Sequence, residues 1–338
     1  MAFSQDAGSR VPCIKMNDGR LMPGIALGTY LGAGEDGLAK PADKIVRDAV
    51  VEAIDIGYRH IDTAAIYQVE DQIGEALKIK FQEGRIKRED IFITTKLWNT
   101  HHKREQVAQG LRESLKQLQL NYVDMYLIHW PFGLNENYTF SPIDFMETWR
   151  GMEDVQKLGL TKSIGLSNFN AEQVLRVVEE GTVKPAALQI EMHPNMIQTG
   201  LINVCRDYNI VVMAYSPLGS LVSRFGTFFP GIKMDNPTLV AIAQKYGKTV
   251  PQVVLRWEIE KNVVPLPKSV NPKRLKQNFD IFDFKLTEDE VEQISSFNSN
   301  SRLLLPSFWQ EHIYYPFEKT DDPIADPFLK KTTEETKL

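Results

Sequence analysis

Short apolar runs alternate with helix-length amphipathic stretches along most of the chain, and this alternation limits the fold more than any other feature. The runs are Gly24–Leu27, Arg59–Asp62, Ile91–Lys96, Met125–His129, Ser163–Leu166, Ala187–Ile190, Ile210–Tyr215 and Val263–Pro265. Each is bounded by turn residues and too short for a helix, so each reads as a buried strand of a parallel sheet. Between them, Ala42–Ile56 places Ile45, Ala49, Ile54 and Ile56 on one stripe, and Glu105–Leu118 does the same with Val107, Leu111, Leu115 and Leu118. A length of 338 residues leaves open one large barrel or two ordinary domains. A doubly wound sheet rarely repeats so evenly for so long, so the prediction is an α/β fold with a single (β/α)8 TIM barrel.

Ahead of the first run, Pro12–Lys15 and Arg20–Pro23 flank Met16-Asn17-Asp18-Gly19, and Asp-Gly between short apolar segments predicts a β-hairpin that plugs the barrel floor. The barrel is expected over 11–317, with polar extensions at 1–10 and 318–338. The second extension is charged and Thr-rich, carries two Asp-Pro pairs, and reads as poorly ordered.

With 43% hydrophobic and 25% charged residues the chain can bury a sizeable core. A net charge of −5 and a pI near 5.8, without a Lys/Arg run, give no footprint for nucleic acid or an anionic membrane. An anionic ligand must therefore meet a local positive site. The opening Met1–Asp6 has no apolar stretch and no window approaches the ~20 apolar residues of a membrane span, which predicts a cytoplasmic protein. Two cysteines, Cys13 and Cys205, are too few for a disulfide framework and are expected as free thiols. Asn137-Tyr138-Thr139 fits a glycosylation acceptor but follows no secretory signal, and Thr336-Lys337-Leu338 only loosely resembles a peroxisomal signal. His101-His102 are adjacent and no other His/Cys cluster has ligand spacing, so no metal site is expected.

Reacting groups of a barrel lie at the C-terminal ends of its strands. Three consecutive runs end in ionisable residues: Asp62, Lys96 and His129. Taken singly, a strand-end charge is more often a solvated rim or a salt bridge; their convergence on one face weakens that reading. Tyr67 follows Asp62 by five residues and falls in the next loop. A free phenol has a pKa near ~10, and a neighbouring ammonium favours its ionised form, so Lys96, held charged by Asp62, can tune Tyr67 as a proton donor. His129 can orient a carbonyl oxygen by a hydrogen bond. The same quartet can in principle serve a hydrolase.

Gly57-Tyr58-Arg59-His60-Ile61-Asp62-Thr63-Ala64-Ala65-Ile66-Tyr67 resembles the signature of the aldo-keto reductases. So do Asn121-Tyr122-Val123-Asp124-Met125-Tyr126-Leu127-Ile128-His129-Trp130-Pro131, Ser163-Ile164-Gly165-Leu166-Ser167-Asn168-Phe169 and Pro267-Lys268-Ser269-Val270, in the right order. By that likeness Asp62, Tyr67, Lys96 and His129 form a catalytic tetrad for NADPH-dependent carbonyl reduction. The resemblance lies with the aldose/aldehyde reductase branch, with the ecdysteroid-reducing 3-dehydroecdysone reductases as a neighbour. It implies a steroid ketone or small aldehyde as substrate, a monomer, and no obligate protein partner. The alternative is an NADPH-binding redox sensor or auxiliary subunit with little turnover, against which the intact tetrad argues.

Gly32-Ala33-Gly34-Glu35-Asp36-Gly37 formally fits the dinucleotide fingerprint, but Glu35 and Asp36 would oppose a pyrophosphate and no helix opens at the last glycine. A better anion site is Pro267–Arg274, where Asn271 reads as helix N-cap, Pro272 as the first helical residue, Lys268 as a point charge and Arg274 as a phosphate fork. In the resembling family this segment binds the adenosine 2′-phosphate, which implies NADPH, with Ser269 and Val270 beside it and Gln277 and Asn278 at the adenine; the family often has Glu where Gln277 stands. Tyr215 can stack on nicotinamide, and Ser167, Asn168 and Gln189 can bond its carboxamide. Ser216, Leu218 and Ser220 resemble residues that wrap the pyrophosphate, and the likeness adds Gly28 and Thr29 to the cofactor set.

For the substrate pocket, Tyr30, Ile66, Trp98 and Trp130 make an aromatic and apolar wall, joined by Phe308 and Trp309. Tyr30 stands where many relatives carry Trp, which counts against sugar specificity. Phe132–Asp144, Leu221–Asn236 and Asn298–Phe317 are expected at the pocket rim.

Overall fold

The hairpin and the eight strands form two separate sheets in the computed structural model, which describes residues 2–4, 11–32, 43–222 and 230–328. The small antiparallel sheet contains β1 (Phe3–Ser4), β2 (Cys13–Lys15) and β3 (Leu21–Pro23). Within the polar extension at 1–10, Phe3 pairs with Ile14 and packs its side chain on the core. The fingerprint residues 33–37 lie outside the described residues.

The large sheet is β4 (Leu27–Gly28), β5 (His60–Asp62), β6 (Phe92–Leu97), β7 (Val123–Ile128), β8 (Thr161–Ser167), β9 (Ala187–Glu191), β10 (Val211–Tyr215) and β11 (Val263–Pro265), in chain order and all parallel. It closes where Gly28 bridges Lys268 in parallel and its N–H donates to Pro267 O at 3.2 Å. The first strand differs most from expectation. The sequence predicts Gly24–Leu27, but Pro23 pairs with Cys13 and Gly24 N–H donates to Pro12 O, so the hairpin takes Gly24, while Ala26 N–H donates to Pro265 O and Leu27 pairs with Ile61 in the barrel.

Ten helices cover the described barrel, from α1 (Ile45–Ile56), α2 (Glu70–Gln82), α3 (Arg104–Leu118) and α4 (Phe145–Lys157) through α5 (Ala171–Glu180), α6 (Thr199–Asp207), α7 (Pro237–Tyr246) and α8 (Val250–Glu260) to α9 (Pro272–Phe279) and α10 (Glu288–Ser295). None is long and apolar enough to cross a membrane. Gly57 ends α1 at φ 129°, and a Cβ there would lie 2.9 Å from the Phe279 ring, so glycine lets α1 approach α9.

Strand parity decides what reaches the barrel interior. Ile61, Ile93, Leu97, Tyr126, Ile128, Leu188 and Ile190 pack outward in the layer beneath the helices. Phe92, Met125, Leu127, Val211, Met213 and Val264 point inward and share one cluster with Ile14, Met16 and Met22 of the hairpin. The hairpin therefore plugs the floor as expected, each buried Ile or Met contributing roughly 1.5–3 kcal/mol. On the same parity His60, Asp62, Thr94, Lys96, His129 and Gln189 face inward, and the upper ones need polar partners because all are buried.

In the charged C-terminal extension Asp321 to Ala325 are exposed, but Phe328 is buried among aromatic residues of the rim. Residues 329–338 lie outside the described residues.

Candidate active site

Asp62 pairs in register with Thr94, so Lys96, two residues further on, projects from the same face one layer higher. Its ammonium, fully buried, donates to Asp62 Oδ1 at 2.7 Å, to Thr63 O at 2.8 Å and to the Tyr67 hydroxyl at 3.4 Å. Tyr67 ends a short 3-10 turn, Ala65–Tyr67, after β5. Its ring lies 5.8 Å from His129, edge-on, and 4.9 Å from Tyr30. The three strand-end residues and Tyr67 of the following loop thus converge at one mouth of the barrel.

Burial is the largest influence on the ion pair, raising the Asp62 carboxyl and lowering the Lys96 ammonium, while their mutual attraction opposes both. Asp62 gains further bonds: Gln189 Nε2 donates to Oδ2 at 2.7 Å, and Thr29 Oγ1 donates to its carbonyl at 2.9 Å. Burial, and then the Lys96 charge, pushes His129 well below the ordinary histidine range. A ring so shifted has already lost its proton at neutral pH. We expect no titration of the His129 resonances in NMR between pH ~6 and ~8, and a midpoint near the ordinary ~6.5 would contradict this. His129 Nδ1 is buried with no partner among the described residues. An unmet lone pair costs less than an unmet N–H, so the proton belongs on Nε2.

A model described as the aldo/keto reductase family matches residues 24–299. The chain belongs to this family. It is 47% identical over 309 residues to aldo-keto reductase AKR2E4 of Bombyx mori, covering 91% of this chain and 99% of that protein. It is 37% identical to human aldo-keto reductase family 1 member A1, covering 90% and 98%. The crystal structure of Bombyx mori AKR2E4 in complex with NADP matches with a TM-score of 0.87 at 46% identity, over 92% of this chain and 100% of that one. That of silkworm AKR2E5 complexed with NADPH matches with a TM-score of 0.90 at 41% identity, over 95% and 98%.

Around the mouth of this aldo/keto reductase, the residues expected to hold a dinucleotide form two groups. Asn168, at φ 60°, donates to His129 O at 3.0 Å and to Ser167 Oγ at 3.3 Å and accepts from Tyr215 OH at 2.8 Å. These bonds fix Ser167, Asn168 and Tyr215 beside His129, with Gln189 held by Asp62. Ser216, also at positive φ, and Leu218 follow β10, but the Ser220 hydroxyl turns away to donate to Asn195 Oδ1 and Ile232 O. Much of the Leu221–Asn236 rim, residues 223–229, lies outside the described residues.

The second group opens α9. Asn271 Oδ1 accepts from Arg274 N–H at 3.2 Å and Pro272 starts the helix, as the sequence predicts, while Ser269 Oγ accepts from Asn271 N–H. Among the described residues neither Lys268 nor Arg274 has an acidic partner. Burial, and then the Arg274 charge, lowers the Lys268 pKa. Like charges held together at a helix N-terminus, with no counter-charge, fit an anion. Val270 packs on the core, Asn278 is buried and Gln277 half-buried along the same helix.

Ile66, Trp98, Trp130, Phe308 and Trp309 gather in one apolar cluster above the mouth. Trp98 meets His129 at 5.4 Å and Trp130 stacks on it at 6.4 Å. Sequence reasoning missed the tethers of the rim. Glu191 accepts from the backbone N–H groups of Leu303 and Leu304 and pairs with His193 at 3.1 Å. Asn195 holds Ser220 on one side and donates to Phe297 O on the other. Glu191, inward by parity at the end of β9, was the available signal.

Proposed function

We propose that this chain reduces aldehydes and ketones to alcohols with NADPH, using Tyr67 as proton donor. The observation that carries the reading is Lys96 Nζ touching Asp62 and the Tyr67 hydroxyl together at the barrel mouth. When bound, NADPH supplies the hydride. Lys268 and Arg274 would grip its 2′-phosphate, Tyr215 would stack on its nicotinamide, and Ser167 and Asn168 would bond the carboxamide; Gln189 would do so by exchanging its bond to Asp62. The NADP and NADPH complexes of the two silkworm relatives support this cofactor.

His129 Nε2–H bonds the substrate's carbonyl oxygen and sets it before Tyr67, whose hydroxyl donates its proton to that oxygen. The phenolate left behind lies beside the Lys96 ammonium, which Asp62 and Thr63 O keep in place. Trp98, Trp130 and Trp309 exclude water and favour an apolar carbonyl, a steroid ketone or a small aldehyde, over a polyhydroxylated sugar. One chain supplies every group, so a monomer suffices.

A panel of aliphatic, aromatic and steroid carbonyls, each with NADPH and with NADH, tests the reading. The expected result is loss of the reduced-nicotinamide absorbance with NADPH and at least one apolar carbonyl. Silence across the panel would overturn it, and NADPH binding without turnover would point to a nucleotide sensor instead.

A further inference from the structure

Beyond Glu318 the chain runs through solvent and then sends one side chain back inside. Asp321 to Ala325 are all exposed, whereas Phe328 is only 7% exposed. Its ring stacks on Trp309 at 5.6 Å with an interplanar angle of 13°, and on Tyr138 at 4.9 Å with 12°. Trp98 lies 6.0 Å away and itself meets His129, so Phe328 stands one ring from the group that orients the carbonyl.

Two features mark this slot as more than a resting place for a phenyl ring. Trp98 Nε1 and Trp309 Nε1, of the two indoles that touch Phe328, are buried with no acceptor among the described residues. A hydrocarbon ring cannot satisfy them, and buried N–H groups are normally paired. The strap that delivers the ring is lightly held: Thr320 exchanges two bonds of 2.9 Å with Gln310, Ile324 N–H donates to Ser307 Oγ at 3.0 Å, and the intervening residues face water. Apart from the Phe328 ring the strap has few buried contacts and its hydrogen bonds are only partly buried, so it can open without the barrel.

We propose that Phe328 is a displaceable plug, and that flat aromatic or fused-ring ligands bearing an oxygen acceptor take its place between Trp309 and Tyr138. The proposal rests on the reading of this mouth as a carbonyl-reducing site and names the substrate class that fits it. Phe328 then weakens every such ligand by a common factor: a site open one-tenth of the time binds about tenfold more weakly.

The test compares the wild type with Phe328→Ala in the NADPH-loaded enzyme. The KM for methoxynaphthaldehyde should fall roughly tenfold, since the occupied fraction no longer limits binding. An unchanged or raised KM would overturn the proposal, because Phe328 would then be a wall that substrates stack upon. A second measurement needs no turnover: trypsin cleavage after the exposed Lys319 should accelerate severalfold when methoxynaphthalene methanol is added to the wild type with NADP. An unchanged rate would likewise sink the plug. Accelerated cleavage from an enzyme that reduces no carbonyl would leave the slot standing and remove the reduction reading alone.

Discussion

Tyr67→Phe lowers kcat by at least about 10²-fold, the contribution of a positioned general acid, while NADPH affinity stays close to that of the wild type. The substitution deletes one oxygen and keeps the ring, so the edge contact with His129 and the packing on Tyr30 survive. What disappears is the hydroxyl 3.4 Å from Lys96 Nζ, the proposed proton donor. A factor of 10² corresponds to about 2.7 kcal/mol of transition-state stabilisation. Steady-state kinetics with a saturating aldehyde, alongside fluorescence titration of NADPH, measures both quantities. Turnover near wild type would assign the proton to another group, and joint loss of turnover and binding would indicate a misfolded mouth.

The second large effect concerns the nucleotide. Replacing Lys268 and Arg274 together by Ala raises the Kd of NADPH by about 10²-fold, because charge-assisted hydrogen bonds contribute roughly 1.5–3 kcal/mol each and do not add fully. The Kd of NADH, which lacks the 2′-phosphate, should change by less than about threefold. The unliganded variant should melt no lower than the wild type, since burial and then the Arg274 charge disfavour the Lys268 ammonium, which has no acid partner among the described residues. Equal losses for both nucleotides would mean that these residues do not read the phosphate. Isothermal titration with each nucleotide decides between them.

How much of this was legible in the sequence follows from periodicity. Period-two parity places Asp62, Lys96 and His129 on the inner face of adjacent strands, and a spacing of five residues puts Tyr67 in the loop above them, so the convergence is a consequence of register. The Asn271–Pro272 start of α9 was legible for a similar reason: N-cap chemistry is local. The rim was not. Glu191 and Asn195 act on Leu303, Leu304, Phe297 and Ser220, contacts spanning up to a hundred residues or more that carry no periodic signal. Phe328 sits in a charged, Thr-rich stretch whose composition pointed to disorder, and one aromatic residue after Asp326-Pro327 was too slight a cue to outweigh it. Phe3 escaped notice in the same way, one ring in a polar opening that nonetheless pairs β1 with β2.

Transfer of a label from cofactor to product examines the reaction itself. With NADPH deuterated at the reactive nicotinamide carbon and an aromatic aldehyde in light water, each alcohol formed should carry one deuterium on the carbinol carbon and a solvent proton on its oxygen. NADPH consumed without deuterium in the alcohol would contradict carbonyl reduction at this barrel mouth.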